Sequence, residues 1–339
     1  MKRDSSKRIT STDVARAAGV SQSVVSRAFD PNGKVAADTR AHVLEVAKRL
    51  GYQPNVYARS LVMQKASIVG IIVGNLENPF YPSVLMRFSE ALQRQGRQVL
   101  LFSTKDEEEV GDALLQALQY RVEAVIVTSV TLTSSVTQVL EKSQVPIFLF
   151  NRTLENALLP SVSCDNVAGG RLVAETFLKA GHERFAFIGG TPNTSTNRDR
   201  RRGFLGRLQE VGAPYISAEK TYSYDWGYEA VCQLLKDKSE ELPDAIFCAN
   251  DIIALGALDA LRLEEVRIPE EVALIGFDDI AEARRPAYSL TTVRQPVEAM
   301  IEATLGLLEQ PTPKTQLLRG RLVERSSSRP VKEVAGVIQ

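Results

Sequence analysis

The side chains best suited to read another molecule sit close together near the N-terminus: Gln22, Ser23, Ser26 and Arg27. An amide, two hydroxyls and a guanidinium supply the donors and acceptors that meet base edges and phosphates in a DNA major groove. A second set lies much further along, as Asn75–Tyr81, Asn151–Arg152, Asp165–Asn166, Asn250–Asp251 and Asp278–Asp279. Turn and cap formation accounts for any one Asn or Asp in such places, but five together suit a polar small molecule held by hydrogen bonds. A third group, Arg198, Asp199, Arg200, Arg201 and Arg202, suits a sugar, a sugar acid or a phosphorylated sugar, or else a solvated helix face. None of these sets is a nucleophile with its base. The chain holds no GxGxxG, GxxxxGK[ST] or GxSxG, so neither catalytic residues nor a cofactor is expected. Cys164, Cys232 and Cys248 have no metal-ligand spacing and are read as packing residues, with no metal site.

The first set needs a short, exposed helix. Thr10 and Asp13 have capping-box spacing. Val14, Ala17 and Ala18 then give an apolar face, and Gly19 marks the stop. Val20 plugs the turn, and Ser21 is a second N-cap. Val24, Val25 and Ala28 turn inward, which leaves Gln22, Ser23, Ser26 and Arg27 outward. Asp30–Lys34 is a turn, and a third helix runs from about Ala37 to Leu50, with Val43, Val46, Ala47 and Leu50 inside and Gly51 at its end. This pattern predicts a helix-turn-helix head; taken alone it also suits a small helical hairpin with a solvated face.

Pro54 and Asn55 then open a segment, Val56–Val62, long enough for about two helical turns. A helix that short is marginal in water and needs an external support. Leu61 is apolar with little core to enter, as a wedge that opens a base step from the minor groove would be; packing against the body is the other reading.

The second set needs strand ends. Ser67–Val73 is short, apolar and β-branched, as in a parallel strand buried on both faces. Further strands are expected at 98–102, 124–127, 147–150, 184–188, 245–248 and 272–277, with helices near 81–96, 108–120, 134–142, 167–180, 198–211, 226–237, 251–263 and 295–309. This alternation predicts doubly wound parallel sheets, and about 265 residues exceed one such sheet, so two lobes are inferred. Ligands bind beyond the carboxyl ends of such strands.

Charge separates head from body. The first 65 residues carry 12 Lys and Arg against 5 Asp and Glu; of 41 of each in the chain, 29 basic and 36 acidic remain for the rest. A basic head on an acidic body fits a head that meets phosphate. No apolar run approaches the ~20 residues that cross a bilayer. The N-terminus lacks the apolar core of a signal peptide, and three cysteines suit reduced thiols, so the expected location is the bacterial cytoplasm, on the nucleoid.

On these residues the chain resembles the LacI–GalR family of bacterial transcription regulators. The matching stretches include ThrAspValAlaArgAlaAlaGlyValSer, ValSerArg, GlyTyrGlnProAsn with AlaArgSerLeu, AsnProPheTyr, ArgArgArgGlyPhe, AlaAsnAsp, GlyPheAspAsp and LeuThrThrValArgGlnPro, in order from Ile9 to about Arg329. The resemblance implies a small all-α helix-turn-helix head on an α/β two-lobed core like a periplasmic binding protein, with three crossings between lobes, near Cys164, Thr292 and Arg319. The expected division is a headpiece 1–53, a hinge 54–65, an N-terminal lobe 66–163 with 293–319, a C-terminal lobe 164–292 with 320–332, and a flexible tail 333–339. It also implies a homodimer on a pseudo-palindromic double-stranded operator; the tail lacks a leucine heptad, which argues against a tetramer.

Carried over by position, Gln22 and Ser23 read base edges, Arg27 meets guanine or phosphate, and Thr10, Ser21 and Ser26 complete the DNA face. Asn55 and Ala58 lie in the minor groove and Leu61 intercalates. For a carbohydrate-derived effector, Arg200 is the gripping arginine and Asp278 takes hydroxyls. Phe80, Asn151, Trp226, Asn250 and Gln295 line the pocket, although Trp226 equally suits ordinary core. The expected function is a repressor switched by a sugar or sugar acid, without a membrane partner. An enzyme lacks its motifs here, and a non-specific architectural DNA binder has no use for the large acidic body.

Overall fold

A computed structural model describes residues 9–30, 33–53, 67–104, 108–128, 143–154, 159–236 and 241–329. It divides into two compact units, up to Ser67 and from Ile68 onward. The expected hinge residues Asn55, Ala58 and Leu61, the helix near 134–142 and the tail lie outside the described residues.

Among the described residues the first unit holds three helices: α1 (Ser11–Ala18), α2 (Gln22–Ala28) and α3 (Ala37–Leu50). Asp13 N–H donates to Thr10 Oγ1, and Thr10 N–H to Asp13 Oδ2 at 3.0 Å, which completes the capping box. Gly19 and Gly51 end α1 and α3 in the left-handed conformation, at φ 66° and 68°, where a Cβ is penalised. Val14, Ala15, Ala18, Val25, Ala28, Val43, Val46 and Ala47 form the core. Ala15 takes the inward place expected of Ala17, which is exposed: on an eight-residue helix covered from two sides, positions 14, 15 and 18 face in together. Ser21 stands at the start of α2, but its hydroxyl bonds Ser23 Oγ at 2.9 Å instead of capping the backbone. Arg40 staples the α2–α3 loop, donating to the carbonyls of Ala28, Asp30 and Gly33.

The second unit carries two six-stranded sheets. In chain order its elements are β1 (Ile68–Gly74), α4 (Phe80–Arg94), β2 (Gln98–Thr104), α5 (Glu108–Gln119), β3 (Ala124–Thr128), β4 (Ile147–Phe150) and β5 (Ser161–Cys164). Then come α6 (Asn166–Ala180), β6 (Phe185–Gly189), α7 (Ser195–Glu210), β7 (Tyr215–Glu219), α8 (Tyr224–Lys236), β8 (Ala245–Cys248), α9 (Asp251–Leu263) and β9 (Ala273–Asp278). The chain closes with β10 (Thr291–Arg294), α10 (Val297–Glu309), β11 (Thr315–Leu318) and β12 (Arg321–Val323). The first sheet runs β11-β5-β4-β3-β1-β2, all parallel; the second runs β12-β10-β9-β8-β6-β7, parallel except for β12.

The chain passes between the lobes after Cys164, after Arg294 and after Leu318. The second crossing, expected near Thr292 with residue 293 opening the N-terminal lobe's return, comes two residues later. Thr292, Val293 and Arg294 instead pair with β9 on one side and β12 on the other, so all of β10 belongs to the second lobe. The crossings run close together: Asp165 N–H donates to Leu318 O at 2.7 Å, and a Cβ on Gly320 would lie 3.0 Å from Arg294 O and 3.3 Å from Cys164 Sγ. Among the described residues no helix is long and apolar enough to cross a membrane.

Candidate functional site: an interlobe cavity and an exposed recognition helix

A cavity of about 620 Å³ lies where the carboxyl ends of the two sheets meet. The strand ends enter it by sharp turns. Asn75 after β1 and Asn151 after β4 have φ of 48° and 56°, in the left-handed region that Asn tolerates. Asp278 ends β9 at φ 123°, outside the regions open to side-chain-bearing residues, and the strain is held by its surroundings.

Arg200 is the centre of the C-terminal lobe's wall. Helices α6 and α7 approach closely because a Cβ on Gly170 would collide with the Arg200 carbonyl and one on Gly203 with the Val167 carbonyl. That approach buries Arg200 to 2% exposure. Its Nε donates to Asn166 Oδ1 at 2.8 Å, Nη1 to Ala249 O at 2.6 Å and Nη2 to Asp278 Oδ1 at 3.3 Å. The guanidinium also stacks 3.7 Å from the centre of the Phe277 ring. Gln295 Nε2 donates to the same Asp278 oxygen at 2.7 Å. Burial pushes the Asp278 carboxyl up, and the Arg200 charge opposes it.

Behind this pair lie two more carboxylates. Asp251 is fully buried, accepts from Thr292 Oγ1 at 2.5 Å and from Ile280 N–H at 2.9 Å, and burial pushes it up to about 7. Burial also pushes Asp279 up, but hydrogen bonds from Arg325, Arg294 and Arg284 outweigh it and hold the carboxyl below its ordinary value.

Of the expected effector residues, Asn151, Arg200, Asn250 and Asp278 line the cavity. Three do not. Phe80 is buried edge-on against Tyr81, and Tyr81 lines the cavity in its place. Trp226 is 6% exposed and its indole N–H is spent on Gly189 O at 2.7 Å, so it braces the end of β6. Gln295 stands behind Asp278 and positions it. The walls also include Arg152, Tyr222, Thr104, Thr194 and Thr196. Arg152 belongs to the strand-end set that suits a polar ligand, although the family resemblance gives it no role of its own. Tyr222 sits between β7 and α8, where no periodicity points to it.

The lobes touch across the cavity: Arg152 Nη1 donates to Thr196 Oγ1 at 3.2 Å, and Thr153 N–H to Ser195 Oγ at 3.1 Å. Two wall atoms are buried without a hydrogen-bond partner, Asn151 Oδ1 and Thr104 Oγ1. Such atoms are costly unless a ligand or water meets them.

In the first unit, Ser21, Gln22, Ser23, Ser26 and Arg27 are all exposed along α2. Gln22 Nε2 donates to Ser11 Oγ at 2.9 Å and Arg27 Nε to Ser23 O at 3.2 Å, which holds both long side chains near the start of α2. Thr10 is exposed too, with its hydroxyl engaged by Asp13.

Comparison with known proteins covers both units. The model of bacterial regulatory proteins of the lacI family matches residues 10–55, and that of periplasmic binding proteins and the sugar binding domain of the LacI family matches 66–308. The HTH-type transcriptional repressor PurR of Haemophilus influenzae (strain PittEE) is 34% identical over 291 residues, 84% of this chain and 86% of that protein. The catabolite control protein A of Priestia megaterium is 33% identical over 307 residues, 88% and 91% of the two chains. A crystal structure of the lac repressor dimer bound to operator and the anti-inducer ONPF superposes with a TM-score of 0.87 at 25% identity, over 95% of this chain and 99% of that one.

Proposed function

This chain belongs to the lacI family of bacterial regulatory proteins and is a DNA-binding transcriptional repressor under small-molecule control; on that footing we propose that it binds a pseudo-palindromic operator as a homodimer and is switched by a sugar or sugar acid in the interlobe cavity. Its relatives are transcriptional regulators, and it is not an enzyme. The observation that carries the effector reading is the cavity itself, where Asn151, Asn250 and Asp278 from three strand ends converge with Arg200 from α7. Switching is then linkage: a ligand that touches both lobes binds one degree of closure better than another, and only that difference shifts the equilibrium.

The α2 face supports base reading by Gln22 and Ser23, with Arg27 on guanine or phosphate and Thr10, Ser21 and Ser26 completing the face. For the hinge we retain the roles of Asn55 and Ala58 in the minor groove and Leu61 as the intercalating wedge. The dimer is supported by β2, an edge strand on which Leu101 is 46% exposed, on the sheet face that also carries Val99.

The test is operator selection from a random pool, followed by anisotropy titration with and without a panel of sugars and sugar acids. A two-fold symmetric consensus that responds to one panel member is the expected result. An asymmetric consensus ends the dimer reading, and an operator complex indifferent to every carbohydrate ends the effector reading. Substituting Gln22 and Ser23 shifts the selected consensus; an unchanged consensus moves recognition elsewhere on α2.

A further inference from the structure

The N-terminal turn of α7 abuts the cavity through Thr194 and Thr196. A helix of 16 residues carries a positive end there, strongest at its unbonded amides. Those amides are uncapped. Thr194 occupies the cap position, yet its hydroxyl donates to Thr191 O at 2.8 Å, and no acidic residue stands in the first turn. Among the described residues, the N–H groups of Ser195, Thr196 and Asn197 make no hydrogen bond, although these residues are buried. Asn197 Nδ2, in the same turn, is buried and unpartnered as well. The buried Arg152 guanidinium reaches this turn through Thr196 Oγ1.

Across the cavity the need is the opposite. Asn151 Oδ1 is an unpartnered acceptor on a residue 2% exposed, and Thr104 Oγ1 an unpartnered hydroxyl on one 3% exposed. The two wall carboxylates do not occupy the helix end: Asp278 is held by Arg200 and Gln295, and Glu77 is exposed. The α7 turn on one lobe therefore offers donors to negative charge, and Asn151 and Thr104 on the other lobe offer unpartnered oxygens to hydroxyl groups.

We propose that the effector is a polyhydroxy acid whose carboxylate or phosphate seats on the N-terminus of α7 beside Thr194, Thr196 and Arg152, with its hydroxyls toward Asn151 and Thr104. This rests on the cavity being the effector site. Amides at a helix end and a nearby guanidinium are a general anion seat, and the buried acceptors opposite orient the neutral remainder.

The probe is inorganic phosphate, applied to the full chain in a thermal-shift titration against chloride at matched ionic strength. Phosphate raises the melting temperature and chloride does not, because only an anion selective for the folded state stabilises it. Thr196→Asp places a carboxylate at the second helical position. It raises the melting temperature in chloride and abolishes the phosphate response. Thr196→Val, close in shape, is the second variant and weakens the phosphate response without abolishing it. Equal shifts from phosphate and chloride, or a phosphate response unchanged in both variants, overturn the seat. Glucose, gluconate and glucose 6-phosphate then separate neutral, carboxylate and phosphate-ester ligands. Glucose shifting the protein as far as its acids overturns the acidic effector and leaves the sugar reading standing. Operator binding indifferent to all sugars sinks that reading, while the phosphate titration still decides the seat.

Discussion

Removing Arg200 strands a charge, and that sets how Arg200→Ala must behave. Arg200 is 2% exposed and donates to Asn166, Ala249 and Asp278 while lying on the Phe277 ring. Truncation leaves Asp278 buried with only Gln295 donating to the shared oxygen. Breaking a buried pair by deleting one partner costs about 3–5 kcal/mol, set against a total stability of about 5–15 kcal/mol. For a body of this size that is a fall of roughly 6–20 °C in melting temperature, at ~2–4 °C per kcal/mol. The cost depends on pH. Burial already raises the Asp278 carboxyl, and the Arg200 charge is the largest influence opposing that rise. Without Arg200 it rises further. A carboxyl raised in the folded state favours folding at low pH and loses that advantage as pH climbs. The deficit of Arg200→Ala against wild type is therefore smaller at pH 5 than at pH 8. Urea denaturation at both values measures it, and a cycle with Asp278→Ala isolates the pair, since the double variant carries no stranded carboxylate. A deficit under about 1 kcal/mol at pH 8, or one equal at pH 5 and pH 8, refutes the reasoning. Effector loss in Arg200→Ala has meaning only after correction for the folded fraction.

Asp251 gives a second pH signature. Raised to about 7 by burial, it stabilises the folded state at low pH, and that contribution is lost as pH rises through 7, on the order of 4 kcal/mol in total. Asp251→Asn flattens the change in urea midpoint between pH 5 and pH 8; a variant as pH-dependent as wild type removes Asp251 as the source. Thr104→Val removes a buried, unpartnered hydroxyl in a side chain of similar shape. It raises the stability of the ligand-free protein by about 1 kcal/mol and weakens effector affinity in calorimetry; lower stability with unchanged affinity contradicts a ligand-facing hydroxyl.

What the sequence made legible follows from where periodicity is strong. The runs at 68–74, 124–128 and 147–150 are apolar and wholly buried, and their strands fall where the pattern places them. The strands without such a signal are β5, β7, β10, β11 and β12. SerValSerCys of β5 is as buried as any of the others, yet half its residues carry hydroxyls; β7 and β11 are edges with exposed or half-exposed faces, and β12 has three residues. Asn151, Arg200, Asn250 and Asp278 do line the cavity, and backbone geometry constrains three of them: an Asn at φ 56°, an arginine whose carbonyl lies against Gly170, and an aspartate at φ 123°. The rings of Trp226 and Phe80 lie outside the cavity's lining; by type, such large rings suit a pocket wall or a core equally. Here both join the core, Trp226 with its indole N–H on the Gly189 carbonyl and Phe80 edge-on to Tyr81. The unsatisfied atoms were not legible at all. Whether Asn151 Oδ1, Thr104 Oγ1 and the first amides of α7 find partners depends on distances between lobes that are far apart in sequence, and pattern carries no such distance. The polar character of the cavity can therefore be read from composition at strand ends, while which of its polar atoms are left without partners is decided only once the two sheets face each other.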